Sequence, residues 1–383
     1  MPAIRSWETF AVAYPVRGRF KFFPDSGKLP PGRRTVVVCL TDDTGRRGWG
    51  QAVPSPRWSY ETPESVRTTI DLYLAPELLG VEIEDVATIE RRLNAAIAPS
   101  FSTGMPIAKA ALDLALWDLR GRIAGKSIGE RIAAQFPDLS ARNTPVTLSW
   151  TINVATIPEL EASVEEAHRR GYRHFNVKVA PDASLDVELC RRLRNIAPDA
   201  LIWADANGGY DLATALAVAP RLADCGVQAL EQPLPANRLY DYGRIREQGA
   251  LPILMDEGIV SVADFDEFHR LGLLDGVAVK ASRMGGLTES LRLVRRLHET
   301  GSLFYASGLT DPDLSLAASL HLFAHGGLTL PAALNGPQFL AGSILGRPLL
   351  PTGDQLAAPS GPGLGVDVNE SAMQTMLESV TNT

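Results

Sequence analysis

Hydrophobic and polar positions divide the 383-residue chain into two parts with different periodicity. From about Thr144 to residue 345, short apolar runs alternate with segments in which apolar residues recur at helical spacing, which predicts alternating strands and helices. The predicted strands are Val146–Ile152, His174–Val179, Leu201–Ala204, Gln228–Glu231, Ile253–Asp256, Val277–Lys280, Leu303–Ala306 and Leu328–Ala333. The predicted helices between them include Ser184–Ile196, Leu212–Asp224, Val262–Leu271 and Leu287–Glu299.

This alternation is typical of a (β/α) barrel or of a doubly wound open sheet, both of which are α/β folds. An open sheet usually carries a glycine-rich phosphate loop after its first strand. Here the first strand continues into "SWTINVATIPEL", which has no glycine. The pattern therefore favours a modified TIM barrel over residues 141–345.

The first 140 residues have a different pattern. "RRTVVVCLTDDTGRRGWGQAVP" predicts two strands joined by a turn at Asp43-Thr44-Gly45. A helix is predicted over Pro106–Ala124, with Ile107, Leu114 and Trp117 on one face. Strands followed by helices indicate an N-terminal α+β domain over residues 1–140. The segment 346–383 is rich in glycine and proline at first, and we expect it to run back over the surface to the N-terminal domain.

Composition and charge exclude several classes of protein. The chain is 45% apolar and 21% charged, which is globular, and its net charge of −7 argues against binding to nucleic acid or to an anionic membrane. No uninterrupted apolar run is long enough to span a bilayer, and the stretch "MPAIRSWETFAVAYPV" has no apolar region followed by a cleavage site, so we expect it not to act as a signal peptide. The three cysteines have no CxxC spacing, and we expect a cytoplasmic protein with free thiols.

Charged residues end five successive predicted strands of the barrel. They are separated by intervals of 27, 26, 25 and 24 residues, each close to one βα unit, and they are Lys178, Asp205, Glu231, Asp256 and Lys280. A single aspartate at a strand end is usually a helix cap or turn former. Five charged residues at the ends of successive strands are not explained in that way. The carboxyl ends of barrel strands form the catalytic rim, so we expect all five side chains there.

Three unpaired carboxylates crowded together would repel one another, and a divalent cation removes that cost. Oxygen ligands without histidine or cysteine favour Mg²⁺ over Zn²⁺, with Mn²⁺ as a possible substitute. The predicted metal ligands are therefore Asp205, Glu231 and Asp256. Lys178 and Lys280 flank this set, and we expect the cation to lower the pKa of both lysines so that either can accept a proton.

At these residues the sequence resembles the enolase superfamily, and within it the muconate-lactonizing branch of the mandelate racemase and muconate lactonizing enzyme family. The resemblance spans nearly the whole chain and is carried by "WADANGGY", "ALEQPLP", "ILMDEGI", "VAVKASRMGG", "ALDLALWDL" and "GPGLGV". It implies an N-terminal α+β capping domain on a (β/α)₇β barrel, with Mg²⁺ on the three carboxylates. It also implies that Lys178 and Lys280 are acid/base catalysts on opposite faces of a small carboxylate substrate, and that the protein is a homo-oligomer.

Two positions depart from the branch. On the second barrel strand the usual Lys-x-Lys is Asn176-Val177-Lys178, so the first lysine is replaced by a neutral amide. On the eighth strand, Ala333 stands where many relatives carry a glutamate. The first change removes a positive charge near Lys178, and the second leaves open how Lys280 is ordered.

The resemblance implies removal of a proton α to a carboxylate through an enediolate, and the later steps decide the reaction. We expect racemisation or epimerisation of a small carboxylate, such as an amino-acid derivative. The alternatives are a dehydratase of the hydroxyproline type, a cycloisomerase of the muconate type, and a barrel that binds metal and ligand without turnover. The chain lacks a histidine directly after the seventh strand and an Asp-x-Asp at the eighth, which disfavours sugar-acid dehydration and dipeptide epimerisation.

Substrate specificity in this family lies in loops of the capping domain, and two segments are candidates: Val16–Gly32 and Val53–Thr62. Both are rich in proline, glycine and aromatic residues, although ordinary domain packing also explains such a composition. The candidate substrate-binding residues are Asn176, Asn207, Glu257, Asp311, Phe22 and Trp58.

Overall fold

The computed structural model describes residues 2–17, 32–99, 103–139 and 145–377. Most of the predicted specificity loop 16–32, including Phe22, lies outside these residues. The N-terminal part contains a three-stranded antiparallel sheet in the order β1-β2-β3, formed by β1 (Ile4–Tyr14), β2 (Arg33–Asp42) and β3 (Arg47–Ala52).

The predicted hairpin is present between β2 and β3, whereas β1 was not predicted. Asp42 Oδ1 closes the turn by accepting from the backbone N–H groups of Thr44 at 2.9 Å and Arg46 at 2.8 Å. β1 begins with "IRSWET", in which polar residues interrupt the apolar run, and this explains why its pattern gave no strand signal.

Four helices follow the capping sheet in the chain, and α1 and α3 pack against it. They are α1 (Pro63–Thr69), α2 (Val86–Ala96), α3 (Pro106–Ala124) and α4 (Ile128–Gln135). A π-helical turn, Ile70–Leu74, and a 3-10 turn, Ala75–Leu78, follow α1. The predicted helix α3 packs so closely on β3 that a Cβ atom at Gly50 would lie 1.9 Å from the carbonyl oxygen of Ala111. Glycine at this position therefore permits the contact between helix and sheet.

The second part begins with the short strand β4 (Val146–Thr147). Seven parallel strands follow: β5 (Trp150–Ile152), β6 (Phe175–Lys178), β7 (Ile202–Asp205), β8 (Leu230–Glu231), β9 (Ile253–Met255), β10 (Gly276–Val279) and β11 (Leu303–Ala306). They form one sheet in the order β5-β6-β7-β8-β9-β10-β11. β4 pairs with β12 (Gln355–Leu356) outside this sheet.

The sheet closes into a barrel through two residues of the predicted eighth strand. Ala332 N–H donates to Thr147 O at 2.8 Å, and Ala333 N–H donates to Ala306 O at 2.8 Å, which joins β11 to the chain entering β5. The predicted strand Leu328–Ala333 is thus reduced to parallel bridges at its last two residues. The architecture is the predicted (β/α)₇β barrel with an N-terminal capping domain.

Helices surround the barrel between its strands. They are α5 (Ile157–Arg169), α6 (Ala183–Ile196), α7 (Leu212–Asp224), α8 (Leu239–Gln248), α9 (Val262–Arg270), α10 (Leu287–Thr300) and α11 (Asp313–His325), followed by α12 (Gly336–Phe339) and α13 (Glu370–Thr375). In the described part of the chain, no helix combines the length and the apolar character needed to cross a membrane.

Strand alternation separates two packed layers. Phe175 and Val177 of β6 belong to the large core between strands and helices. The barrel interior is a separate small cluster that includes Trp203, Tyr305 and Ala333. Side chains that point inward at the carboxyl ends of the strands therefore lie above this small cluster, at the mouth of the barrel.

The C-terminal segment returns to the capping domain, but Leu364 is buried there rather than lying on the surface. Leu364 N–H donates to Asp118 Oδ1 of α3 at 2.8 Å, and Gly363 O accepts from Ile128 N–H at 2.9 Å. The last part of the chain thus ties the barrel to the cap.

Candidate active site

Strand register brings the first three residues of the predicted set side by side. Lys178 of β6 is the register partner of Asp205 of β7, and Asp205 is the partner of Glu231 of β8. Lys178 is only 8% exposed, so it is an interior residue and not an exposed lysine on a strand edge.

Three carboxylates lie together at the centre of the barrel mouth. Asp205, Glu231 and Asp256 are fully buried, and each offers an oxygen within 4.8 Å of the other two. Asp205 Oδ1 accepts from Asn207 N–H at 2.9 Å, and Glu231 Oε2 accepts from Trp203 Nε1 at 2.9 Å. Glu231 Oε1 is buried and has no hydrogen-bond partner within the described part of the chain.

These features fit a divalent cation. Burial and the neighbouring Asp205 raise the pKa of Glu231 well above its usual value, so the protein groups alone disfavour its charged form. An unpartnered buried carboxylate oxygen is costly unless another group binds it. The donor set contains only oxygen, which suits a hard cation and not a thiophilic one.

Both predicted catalytic lysines contact this acidic cluster from opposite sides of it. Lys178 Nζ donates to Asp205 Oδ2, and Lys280, which directly follows β10, donates to Asp256 Oδ2. Lys280 Nζ also lies 3.8 Å from Glu231 Oε1. The two amines therefore approach the carboxylates from β6 and β10, with the strands of the acidic residues between them.

The predicted lowering of the Lys178 pKa applies to the site with a cation bound, and it stays a prediction. Among the protein groups alone, burial opposes the charged form of Lys178, but Asp205 and Glu231 outweigh burial, and the pKa of Lys178 is raised. The predicted lowering depends on the positive charge of a cation among the carboxylates. Without that positive charge, the carboxylates stabilise the ammonium ion directly.

Two further residues at the site were not predicted. Arg283 Nη1 lies 2.5 Å from Asp256 Oδ1, and Trp203 Nε1 donates to Glu231. Trp203 precedes Asp205 by two positions, so strand alternation could have placed it on the same face. Arg283 lies in the turn after Lys280, where alternation gives no direction.

Trp58 of the capping domain covers the barrel mouth. Its Nε1 donates to Glu257 Oε1, and the centre of its ring lies 4.5 Å from Lys280 Nζ and 5.5 Å from Lys178 Nζ. The Arg283 guanidinium lies 4.9 Å from the same ring. One aromatic side chain thus contacts three cationic groups, which places the segment 53–62 directly over the site.

Asn207 and Glu257, two other candidate substrate-binding residues, lie beside the cluster. Asn207 Nδ2 donates to Asp205 Oδ2 at 3.1 Å and to Glu257 Oε1 at 3.2 Å. Burial, followed by the charge of Asp256, raises the pKa of Glu257 to about 7. Both residues are therefore bound to the same network as the candidate metal ligands.

Asn176 and Asp311 are buried at the barrel interior and its rim. Neither amide atom of Asn176 has a hydrogen-bond partner among the described protein groups, and Asp311 Oδ1 also has none. Burial raises the pKa of Asp311, while Arg33 and Lys280 oppose this rise. Ala333 lies in the barrel interior, where it offers no carboxylate to Lys280. That substrate is bound by these candidates stays a prediction; they are Asn176, Asn207, Glu257, Asp311 and Trp58.

Comparison with family models finds two matches that together cover most of the chain. Residues 159–372 match the model described as "Enolase C-terminal domain-like". Residues 31–132 match "Mandelate racemase / muconate lactonizing enzyme, N-terminal domain". The first match contains both lysines and all three carboxylates of the site, and the second contains Trp58.

Characterised relatives are similar over most of their length. The chain is 30% identical to a chloromuconate cycloisomerase of Pseudomonas sp. (strain P51) over 335 residues, which cover 85% of this chain and 86% of that protein. It is 28% identical to an o-succinylbenzoate synthase of Geobacillus stearothermophilus, covering 89% and 88% of the two chains.

The structure also matches a 2-chloromuconate cycloisomerase from Rhodococcus opacus 1CP, with a TM-score of 0.88 and 24% identity over 99% of this chain and 100% of that one. At this identity the match supports the fold alone. It agrees with the barrel and capping domain described above.

Proposed function

Because the chain belongs to the mandelate racemase / muconate lactonizing enzyme family of the enolase superfamily, we propose that it is a Mg²⁺-dependent cycloisomerase. The proposed reaction interconverts an unsaturated dicarboxylate and its lactone by transferring a proton at the carbon α to a carboxylate. The names of its relatives favour this reaction over the racemisation that the sequence suggested. They include a chloromuconate cycloisomerase at 30% identity.

The proposed α-proton chemistry rests chiefly on one observation, the position of two buried lysines on either side of three buried carboxylates. The names of the relatives, and not this geometry, favour cycloisomerisation over racemisation. Asp205, Glu231 and Asp256 would hold the metal. A bound Mg²⁺ ion supplies positive charge that stabilises an enediolate. The oxygen-only donor set and the unpartnered Glu231 Oε1 support this assignment.

In the proposed reaction, Lys178 moves the proton. In the lactonising direction a carboxylate oxygen of the substrate adds to the β carbon, and the electron pair of the double bond moves to the α carbon. Lys178 Nζ then donates a proton to that carbon. In reverse, Lys178 removes the α proton as the ring C–O bond breaks and the carboxylate leaves. Trp58 covers the mouth and excludes water from the reacting carbon.

Deuterium exchange tests this function. Incubation in D₂O with Mg²⁺ and a muconolactone should place deuterium at the α carbon and yield the open dicarboxylate, both observable by NMR. Loss of water from a substrate would instead indicate a lyase. A protein that exchanges no α proton, in muconolactones, N-acyl amino acids or proline derivatives, would contradict the proposal.

Lysine variants test the role of Lys178. Lys178→Met should lower kcat by about 10²–10⁴-fold, the usual contribution of general acid–base catalysis, while the protein still binds Mg²⁺. Lys126→Met removes an exposed lysine of the capping domain and is the control. Equal activity in the two variants would remove Lys178 from the mechanism.

Racemisation or epimerisation is the second candidate, and the presence of two lysines at one site supports it. Racemisation needs a proton acceptor on one face of the α carbon and a donor on the other. Lys178→Met and Lys280→Met would then each abolish exchange from a different stereoisomer of an amino-acid derivative. Cycloisomerisation needs proton transfer on one face only.

A further inference from the structure

Arg33, the first residue of β2, is a buried cation whose side-chain hydrogen bonds to the described residues go to backbone carbonyl groups of two loops. It is 5% exposed. Its Nη1 donates to Pro54 O at 2.6 Å, and its Nη2 donates to Val53 O at 3.0 Å. The same Nη2 donates to Leu309 O at 2.7 Å. One guanidinium therefore joins a loop of the cap to a loop of the barrel.

The first of these loops carries Trp58. Trp58 N–H and Ser59 N–H both donate to Ser55 O, at 2.9 Å and 2.6 Å, and this turn begins directly after Pro54. Arg33 binds the carbonyl groups of Val53 and Pro54, the two residues that precede the turn. The position of the indole ring over the two lysines therefore depends on where Arg33 fixes Val53 and Pro54.

The second loop carries Asp311. Leu309 is the barrel residue whose side chain enters the core of the capping domain, and Arg33 binds its carbonyl group. Thr310 then takes a left-handed conformation with φ at 60°, and Asp311 follows, buried near Lys280. The backbone at Leu309 thus determines where Asp311 lies at the barrel mouth.

We infer that Arg33 is a positioning residue, which holds the Trp58 turn and the Asp311 loop at a fixed separation over the barrel mouth. This separation sets which substrates fit between cap and barrel. The predicted effect of Arg33 on substrate binding rests on the proposed function. Its predicted effect on the positions of the two loops does not. A planar guanidinium can bind several carbonyl groups at fixed angles, whereas a lysine ammonium cannot reproduce that arrangement.

Arg33→Lys tests the inference because it keeps the positive charge and removes the planar guanidinium group that binds three carbonyl groups at once. We expect KM for the lactone to rise at least about tenfold while kcat changes by less than about threefold, since the change removes hydrogen bonds that hold the pocket and not a reacting group. Arg34→Lys is the matched control. Arg34 is the next residue along β2, and it pairs with Glu64 of α1 at 2.7 Å.

Hydrogen exchange measured by mass spectrometry gives a second readout that needs no substrate. In Arg33→Lys, amides of both segments 55–59 and 309–312 should exchange faster than in Arg34→Lys. The inference would be overturned if the amides of both segments exchanged at the same rates in the two variants and the KM values were also equal. Should α-proton exchange be absent from the wild type, the proposed function fails, and the amide exchange still decides the role of Arg33.

The wild-type protein provides a test if Arg33→Lys does not fold. If Arg33 joins the loops, amides of 55–59 and 309–312 should open together, with the same free energy of opening and the same response to denaturant. Clearly different opening free energies for the two segments would show that they move independently and would contradict the inference.

Discussion

His321 lies on α11, away from the acidic cluster, and 1% of its surface is exposed. Its Nε2 lies 3.2 Å from Leu364 O, and its ring stacks on His325. Burial is the main cause that lowers the pKa of His321 from 6.5 to about 4; the neighbouring His325 contributes to this lowering, and the hydrogen bond with Leu364 O opposes it. The imidazole is therefore neutral in the folded protein at pH values where it is charged in the unfolded chain.

Because the folded protein binds this proton less readily than the unfolded chain, stability should fall as the pH drops from about 6.5 towards 4. We expect His321 to account for a loss of about 1 kcal/mol in the free energy of unfolding between pH 8 and pH 5.5. Urea denaturation of wild type and His321→Gln at both pH values measures it. An equal pH dependence in the two proteins would contradict the assignment.

At the residue scale, sequence reasoning succeeds where strand alternation fixes a direction. Lys178 and Asp205 end strands, so their inward orientation follows from the apolar residues beside them. Strand alternation gives no direction for a side chain on a turn, and Arg283 was therefore not predicted. The pKa of Lys178 also depends on carboxylates of other strands, which raise it when no cation is bound.

At the scale of elements, helix α10 receives its N-terminal cap from the other domain. Gly286 precedes the helix and has no side chain to cap it. Asp113 of α3 accepts from Thr288 N–H at 3.1 Å and from Thr288 Oγ1 at 2.5 Å. Trp117 Nε1 donates to the same hydroxyl at 2.9 Å. The helix that follows the Lys280 turn is thus fixed to the cap.

Asp113→Ala should therefore destabilise the protein by about 1–2 kcal/mol, since it removes a cap and leaves the first turn of α10 with unpaired N–H groups. The control is Asp211→Ala, which removes a helix cap that lies within one domain. Asp211 caps α7 by accepting from Thr214 N–H at 2.8 Å. Urea denaturation measures both. A smaller loss for Asp113→Ala than for Asp211→Ala would show that the contact between the domains adds little.

Most elements of the barrel could be predicted, because each strand is a short apolar run between helices of clear periodicity. The predicted helix Leu212–Asp224 and the predicted strand Leu303–Ala306 have the bounds found in the structure. The first and last residues of the eighth strand could not be predicted from the sequence, because its pairing depends on where Leu148 and Ser307 lie once the barrel has closed. The domain limits at residues 140 and 345 stay predictions.

At the scale of the whole molecule, the site is assembled from both domains. The barrel supplies the carboxylates and the lysines, and the cap supplies Trp58 and, through Arg33, the contact that joins the loops above them. The charged residues at strand ends could be read from the sequence because they recur once per βα unit. The contact of Arg33 with Leu309 could not, because it joins residues separated by 276 positions.

We propose that Asp205, Glu231 and Asp256 hold one divalent cation between Lys178 and Lys280. A crystal grown with Mn²⁺ in place of Mg²⁺ would reveal this ion by anomalous diffraction. We expect one strong peak within about 2–2.5 Å of an oxygen from each carboxylate, with both lysine amines facing the enclosed space. A peak bound elsewhere, or no peak with the three carboxylates still paired to the lysines at saturating Mn²⁺, would contradict it.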